Sequence, residues 1–178
     1  MSKQTKRAEA ALGREHNKQL NIVYSACFCV LWEDYQWREN RIIKRFRTST
    51  DVWMECGNFS ILECMERETG IEMTLDGDKS FHEYAYFSAD TTVKPLSDPE
   101  MIYMYNRVMR WLPTMILASV CLALYRNDGW GYERLNRFIG KVNGLLQILG
   151  NDDKAYDKYM QKTTGHSTRE FWEKKEDD

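Results

Sequence analysis

Leu124-Tyr125-Arg126-Asn127-Asp128-Gly129-Trp130-Gly131-Tyr132-Glu133-Arg134-Leu135-Asn136-Arg137-Phe138 decides the architecture of this chain, because an earlier stretch follows the same plan. Moving back 93 positions brings Leu31-Trp32 under Leu124-Tyr125 and Trp37 under Trp130. Arg41, Ile42 and Lys44 fall under Arg134, Leu135 and Arg137, and Gly57-Asn58 under Gly150-Asn151. A small insertion then aligns Met65 with Met160 and Thr69-Gly70 with Thr164-Gly165. The order is the same each time: apolar helix, turn with Trp, basic amphipathic helix, Gly-Asn, short helix, Thr-Gly. A repeated order of this kind is the signature of one supersecondary unit used twice.

The hydrophobic spacing gives the elements. Val23, Ala26, Cys27, Val30 and Leu31 recur at helical intervals in a helix from about Asn17 to Tyr35. Its counterpart spans about Pro113 to Arg126, with Pro113 suited to a first helical turn. Leu135, Phe138, Ile139, Val142, Leu145, Leu146 and Leu149 form a clean stripe on the next helix of unit two. Ile42, Phe46, Val52 and Trp53 do the same, less regularly, in unit one. Gly57 and Gly150 stand where C-terminal glycine caps belong. Third helices are expected near Ser60 to Glu68 and Asp153 to Lys162. The Asn127–Gly131 turn is rich in turn formers. Asp34-Tyr35-Gln36-Trp37 has no glycine, which implies a tighter turn or a kink.

The fold expected is mainly α: a helical bundle of two pseudo-symmetric repeats in a single domain, residues 1–178. Unit one covers about 17–73, a connecting segment about 74–97, and unit two about 112–168 plus a C-terminal helix. In the connecting segment, Asp76-Gly77 between Ile71–Leu75 and Ser80–Phe87 fits a small β-hairpin. Ser97-Asp98-Pro99-Glu100 reads as a capping box opening a helix through Leu112. Ser167-Thr168-Arg169-Glu170 opens a short terminal one.

Composition bounds the function. Hydrophobic residues at 43% and charged residues at 29% describe a globular chain, and the formal charge of -2 removes any global field for nucleic acid or membrane. The basic N-terminus lacks an apolar segment behind it, and the Leu112–Leu124 run is short for a membrane span. Five cysteines without a CxxC point to reduced thiols and a cytoplasmic setting. His16, His82 and His166 are scattered, so no metal site is expected. No phosphate loop or nucleophile-base arrangement is recognisable, and the chain reads as a non-enzyme without a cofactor.

The candidate binding residues are Trp37, Arg38, Arg41, Lys44, Arg45, Arg47, Trp130, Arg134, Arg137 and Lys141. Arg41, Lys44 and Arg45 recur every three to four residues, on a face expected opposite Ile42 and Phe46. Such a face can grip phosphates or an acidic protein surface, or it is an ordinary solvated face. Trp37 and Trp130 could stack a base or close their turns onto the core. Phe81, Tyr84, Tyr86 and Phe87 suit either a protein-binding patch or a cover over the seam between the units.

The stretch Ala123–Phe138, with Trp130 between two glycines and then Arg134-Leu135-Asn136-Arg137-Phe138, resembles a segment of small phage and prophage proteins of gut Gram-positive bacteria. Unit one shares only Trp37, Arg41 and Phe46 with it and lacks the glycines. In size and in lacking a catalytic site the chain resembles anti-CRISPR inhibitors. This implies a nucleic acid or nucleoprotein partner, foremost a CRISPR effector nuclease. Alternatives are a phage DNA-binding regulatory or packaging accessory protein and a structural helical adaptor. Many such inhibitors mimic nucleic acid with acidic surfaces; this chain is nearly neutral with basic helix starts.

Overall fold

The computed structural model describes residues 3–57, 60–73 and 98–167. Among them every regular element is an α-helix: α1 (Lys3–Glu33), α2 (Glu39–Cys56), α3 (Ile61–Thr69), α4 (Asp98–Asp128), α5 (Tyr132–Leu149) and α6 (Asp153–Thr164). The expected hairpin, with Phe81, Tyr84, Tyr86 and Phe87, lies outside the described residues, as does the expected C-terminal helix.

The centre is made by α1 and α4. From Ile22 to Leu31 every residue is buried, and so is every residue from Met115 to Leu124. A helix that is apolar on all sides must be covered on all sides. The cover is exchanged between the halves: α2 and α3 pack mainly on α4, while α5 and α6 pack on α1. Neither half could bury its own apolar helix with its own partners, so the two halves fold as one body.

Two expectations are corrected. The helix expected from Asn17 begins much earlier, at Lys3. The helices expected on either side of Pro113 are one helix, α4, with Pro113 in its interior. Proline removes one backbone donor and crowds the preceding turn. The helix runs through because Trp111, Leu112, Met115 and Ile116 on both sides of it are buried in the same core.

α2 and α5 have the same length and start and end 93 positions apart. Gly57 and Gly150 cap them through N–H bonds to Trp53 O and Leu146 O. The third helices differ in length, 9 residues against 12, and their ends lie 95 positions apart. Thr69 Oγ1 and Thr164 Oγ1 donate to Met65 O and Met160 O, and accept from the N–H of Ile71 and of His166. The turns before α2 and α5 also agree. Gly129 has φ 64 and Gln36, without a glycine, has φ 57. Gln36 adopts the left-handed conformation that glycine adopts freely, and its Nε2 donates to Glu33 O at 2.7 Å.

All five cysteines are free, with Cys56 half-buried and the others buried. No group of three or more His, Cys, Asp or Glu residues among the described ones could hold a metal ion. No helix among them is long and apolar enough to cross a membrane.

Candidate functional site

The two turns leading into α2 and α5 meet at their tryptophans. The Trp37 N–H donates to Leu31 O at 3.0 Å and the Trp130 N–H to Leu124 O at 3.3 Å, which folds each indole back over the helix it has just left. The two rings contact edge to face, with centroids 5.6 Å apart at 76°. Tyr35 lies against Trp130 at 4.6 Å, and Phe138 packs on Trp130 at 5.7 Å. The pairing follows the ring quadrupoles, which favour a positive edge on a negative face.

Each tryptophan carries an arginine. The Arg41 Cζ is 3.8 Å from the centroid of Trp37, and the Arg134 Cζ is 4.2 Å from that of Trp130. These are cation–π contacts, and they hold both guanidiniums over the indole rings. The halves then diverge. Arg41 also pairs with Asp128 Oδ1 at 3.1 Å, whereas Arg134 lies over Tyr35 at 5.3 Å. Tyr35 and Asp128 occupy equivalent positions, 93 apart, so an acid in one half is replaced by a phenol in the other. Burial pushes the Tyr35 phenol above its usual range, opposed by Lys141, Arg134 and Arg137 around it.

The ten expected residues therefore separate. Trp37 and Trp130 are buried, which closes both rings to a stacked base. Arg45 does not share a solvated face with Arg41 and Lys44. It is buried beside Ile42 and Phe46, with its Nε 2.6 Å from Asp128 Oδ2 and side-chain exposures of 10% and 7%. The approach is an ion pair without aligned hydrogen-bond geometry, since neither atom has a well-directed partner. Asp128, on the other half of the molecule, is what draws it inward. Lys141, on α5, pairs with Asp34 in the turn that follows α1. Arg47 is half-buried.

Four remain as cations facing solvent: Arg38, Lys44, Arg134 and Arg137. Among the described residues none of them pairs with a carboxylate. Arg38 covers Trp32 at 5.8 Å. Lys44 and Arg137 are equivalent positions, and Arg134 is the equivalent of the half-exposed Arg41. The residues that sequence reasoning missed are Asp128 and Tyr35. Asp128 was read only as a turn former; its signal was an acid standing where the other unit has an aromatic.

Comparison with known protein families, with characterised proteins and with solved structures found no match.

Proposed function

We propose that the chain is a non-enzymatic binding protein for an anionic partner, a nucleic acid or a nucleoprotein, held by the cations at the start of α2 and α5. One observation carries this reading. Among the described residues Arg38, Lys44, Arg134 and Arg137 are exposed and pair with no carboxylate; Arg38 precedes α2 and the other three lie on α2 and α5, the helices whose entry turns meet at the Trp37–Trp130 contact. Arginines already fixed over aromatic rings lose little side-chain freedom on binding phosphate, and planar guanidiniums match phosphate oxygens well. The contribution of the tryptophans is to fix these arginines, not to stack bases.

Within that class we favour an inhibitor of a CRISPR effector nuclease. The support is the resemblance of Ala123–Phe138 to phage proteins. The test is a gel shift with single-stranded DNA, duplex DNA and guide RNA, together with target cleavage by guide-loaded effectors. Binding to nucleic acid or effector, with loss of cleavage, is the expected result. Duplex binding with full cleavage moves the chain to the DNA-binding accessory class. No shift and full cleavage at saturating protein leaves a structural adaptor.

A further inference from the structure

Tyr35 stands half-buried in the turn that follows α1, with its ring against Trp130 at 4.6 Å and Phe138 at 6.2 Å. Its hydroxyl is enclosed and finds no hydrogen-bond partner among the described residues. An enclosed donor left unpaired costs stability, and each such group calls for an explanation. The face of α5 beside it suggests one. Arg134, Arg137 and Lys141 are exposed and recur at three and four residues, so they share that face. Both ends of it reach the turn: the Arg134 Cζ is 5.3 Å from the Tyr35 ring centroid, and Lys141 pairs with Asp34. Arg137, between them, faces the same corner. The other half shows what such a corner holds. Asp128 is 93 positions from Tyr35, as Arg41 is from Arg134 and Arg45 from Phe138. The Asp128 carboxylate accepts from Arg41 Nη2 at 3.1 Å and lies 2.6 Å from Arg45 Nε. An anion of the protein itself thus fills the corner at α2. At α5 a phenol stands in place of the acid, and among the described residues no carboxylate pairs with Arg134 or Arg137.

We infer that Arg134, Arg137 and the Tyr35 hydroxyl form a subsite for one phosphodiester group of a nucleic-acid backbone. The inference rests on the proposed reading of the chain as a binder of an anionic partner; it adds which half holds the phosphate, and a ligand besides the cations. The guanidiniums supply charge and paired N–H donors, and the phenol supplies a neutral O–H donor to a phosphate oxygen. Neither arginine is tethered to a carboxylate among the described residues, so both side chains part to admit the phosphate to the hydroxyl. Arg41 has no such freedom, because turning outward would cost it Asp128. Lys141 stays with Asp34 and frames the subsite without entering it.

The experiment measures fluorescence anisotropy of labelled single-stranded DNA, duplex DNA and RNA oligonucleotides without terminal phosphates, titrated with the full chain at low salt. Binding should weaken about tenfold in Tyr35→Phe, and about tenfold or more in Arg134→Gln and in Arg137→Gln. In Arg41→Gln it should change by less than about twofold. Tyr35→Phe should also melt no lower than the unaltered protein, since the group removed had no partner in the fold. A lower melting temperature in Tyr35→Phe would show that the hydroxyl serves the fold, and would overturn the subsite. Unchanged binding in Tyr35→Phe, or equal losses at Arg41 and Arg134, would overturn it too, while the binding of the unaltered protein would keep the broader reading. Binding that requires a terminal phosphate would overturn the assignment to the backbone. If the unaltered protein binds none of the oligonucleotides, the reading of a nucleic-acid partner fails, and the subsite with it.

Discussion

Trp37 and Trp130 stand 93 positions apart and touch edge to face at 5.6 Å, each bearing an arginine on its ring and each donating its backbone N–H six residues back. Residues 93 positions apart thus meet each other, while Trp130 also packs on Phe138 of its own half. The turn into α2 and the turn into α5 meet there, where α2 and α3 pack on α4 while α5 and α6 pack on α1. A double-mutant cycle with Trp37→Leu and Trp130→Leu should return a coupling of about 0.5–1.5 kcal/mol in urea unfolding. Additive single-variant losses would show that the rings touch without supporting one another.

Asp128 serves two arginines of the other half, and the two contacts differ in kind. Arg45 and Asp128 are almost fully enclosed, while the Arg41 side chain is 54% exposed. Removing one member of an enclosed pair leaves the other charge without solvent. Arg45→Met or Asp128→Asn should each cost about 3–5 kcal/mol, with the double variant recovering much of that loss. Arg41→Ala should cost no more than about 1 kcal/mol, because water already screens that contact. Equal losses at Arg41 and Arg45 in the same unfolding assay would contradict this ordering.

The repeated order of residues carried the bounds of α2 and α5 and the glycine and threonine features that end the helices, because those depend on residues close in the chain. Two kinds of feature did not show. The Gln36 turn depends on a backbone conformation that no pattern of side-chain type announces. The place of Arg45 depends on Asp128, which is remote in sequence. Periodicity set Arg45 beside Arg41 and Lys44 as a solvated charge, although Ile42 and Phe46 flank it on the buried side. The continuity of α4 was hidden for a similar reason: Pro113 reads locally as a helix start, and only the surrounding core carries the helix past it. At the candidate site, residue types were legible and accessibility was not.

Glu68 gives a pH signature. Its hydrogen bonds to Arg126 hold its carboxyl below the ordinary value of 4.5, against the opposing effect of burial, with Arg67 adding to the lowering. A carboxyl depressed in the folded state contributes stability above its unfolded pKa and loses it as pH falls through the folded one. Glu68→Gln should therefore melt at a lower temperature than the unaltered protein at neutral pH. The two melting curves should converge as pH falls below about 4. A gap that persists undiminished in acid would mean that packing, and not charge, is what Glu68 supplies.

Binding should separate from stability at Lys44 and Arg137. Both are exposed, equivalent in the two halves and unpaired with carboxylates among the described residues. Reversal at Arg45 is unsuited to this purpose, because a glutamate there would face Asp128 inside the protein. Lys44→Glu and Arg137→Glu should each leave unfolding free energy within about 0.5 kcal/mol, as solvated charges do. If each cation meets a phosphate, each replacement should lower the slope of log affinity against log salt by about one. The double variant should then lose binding at near-physiological ionic strength while keeping its melting temperature. A partner that binds both variants with unchanged affinity and no salt dependence would remove this pair from the mechanism. Loss confined to one variant would show that the partner engages only one of the two helices.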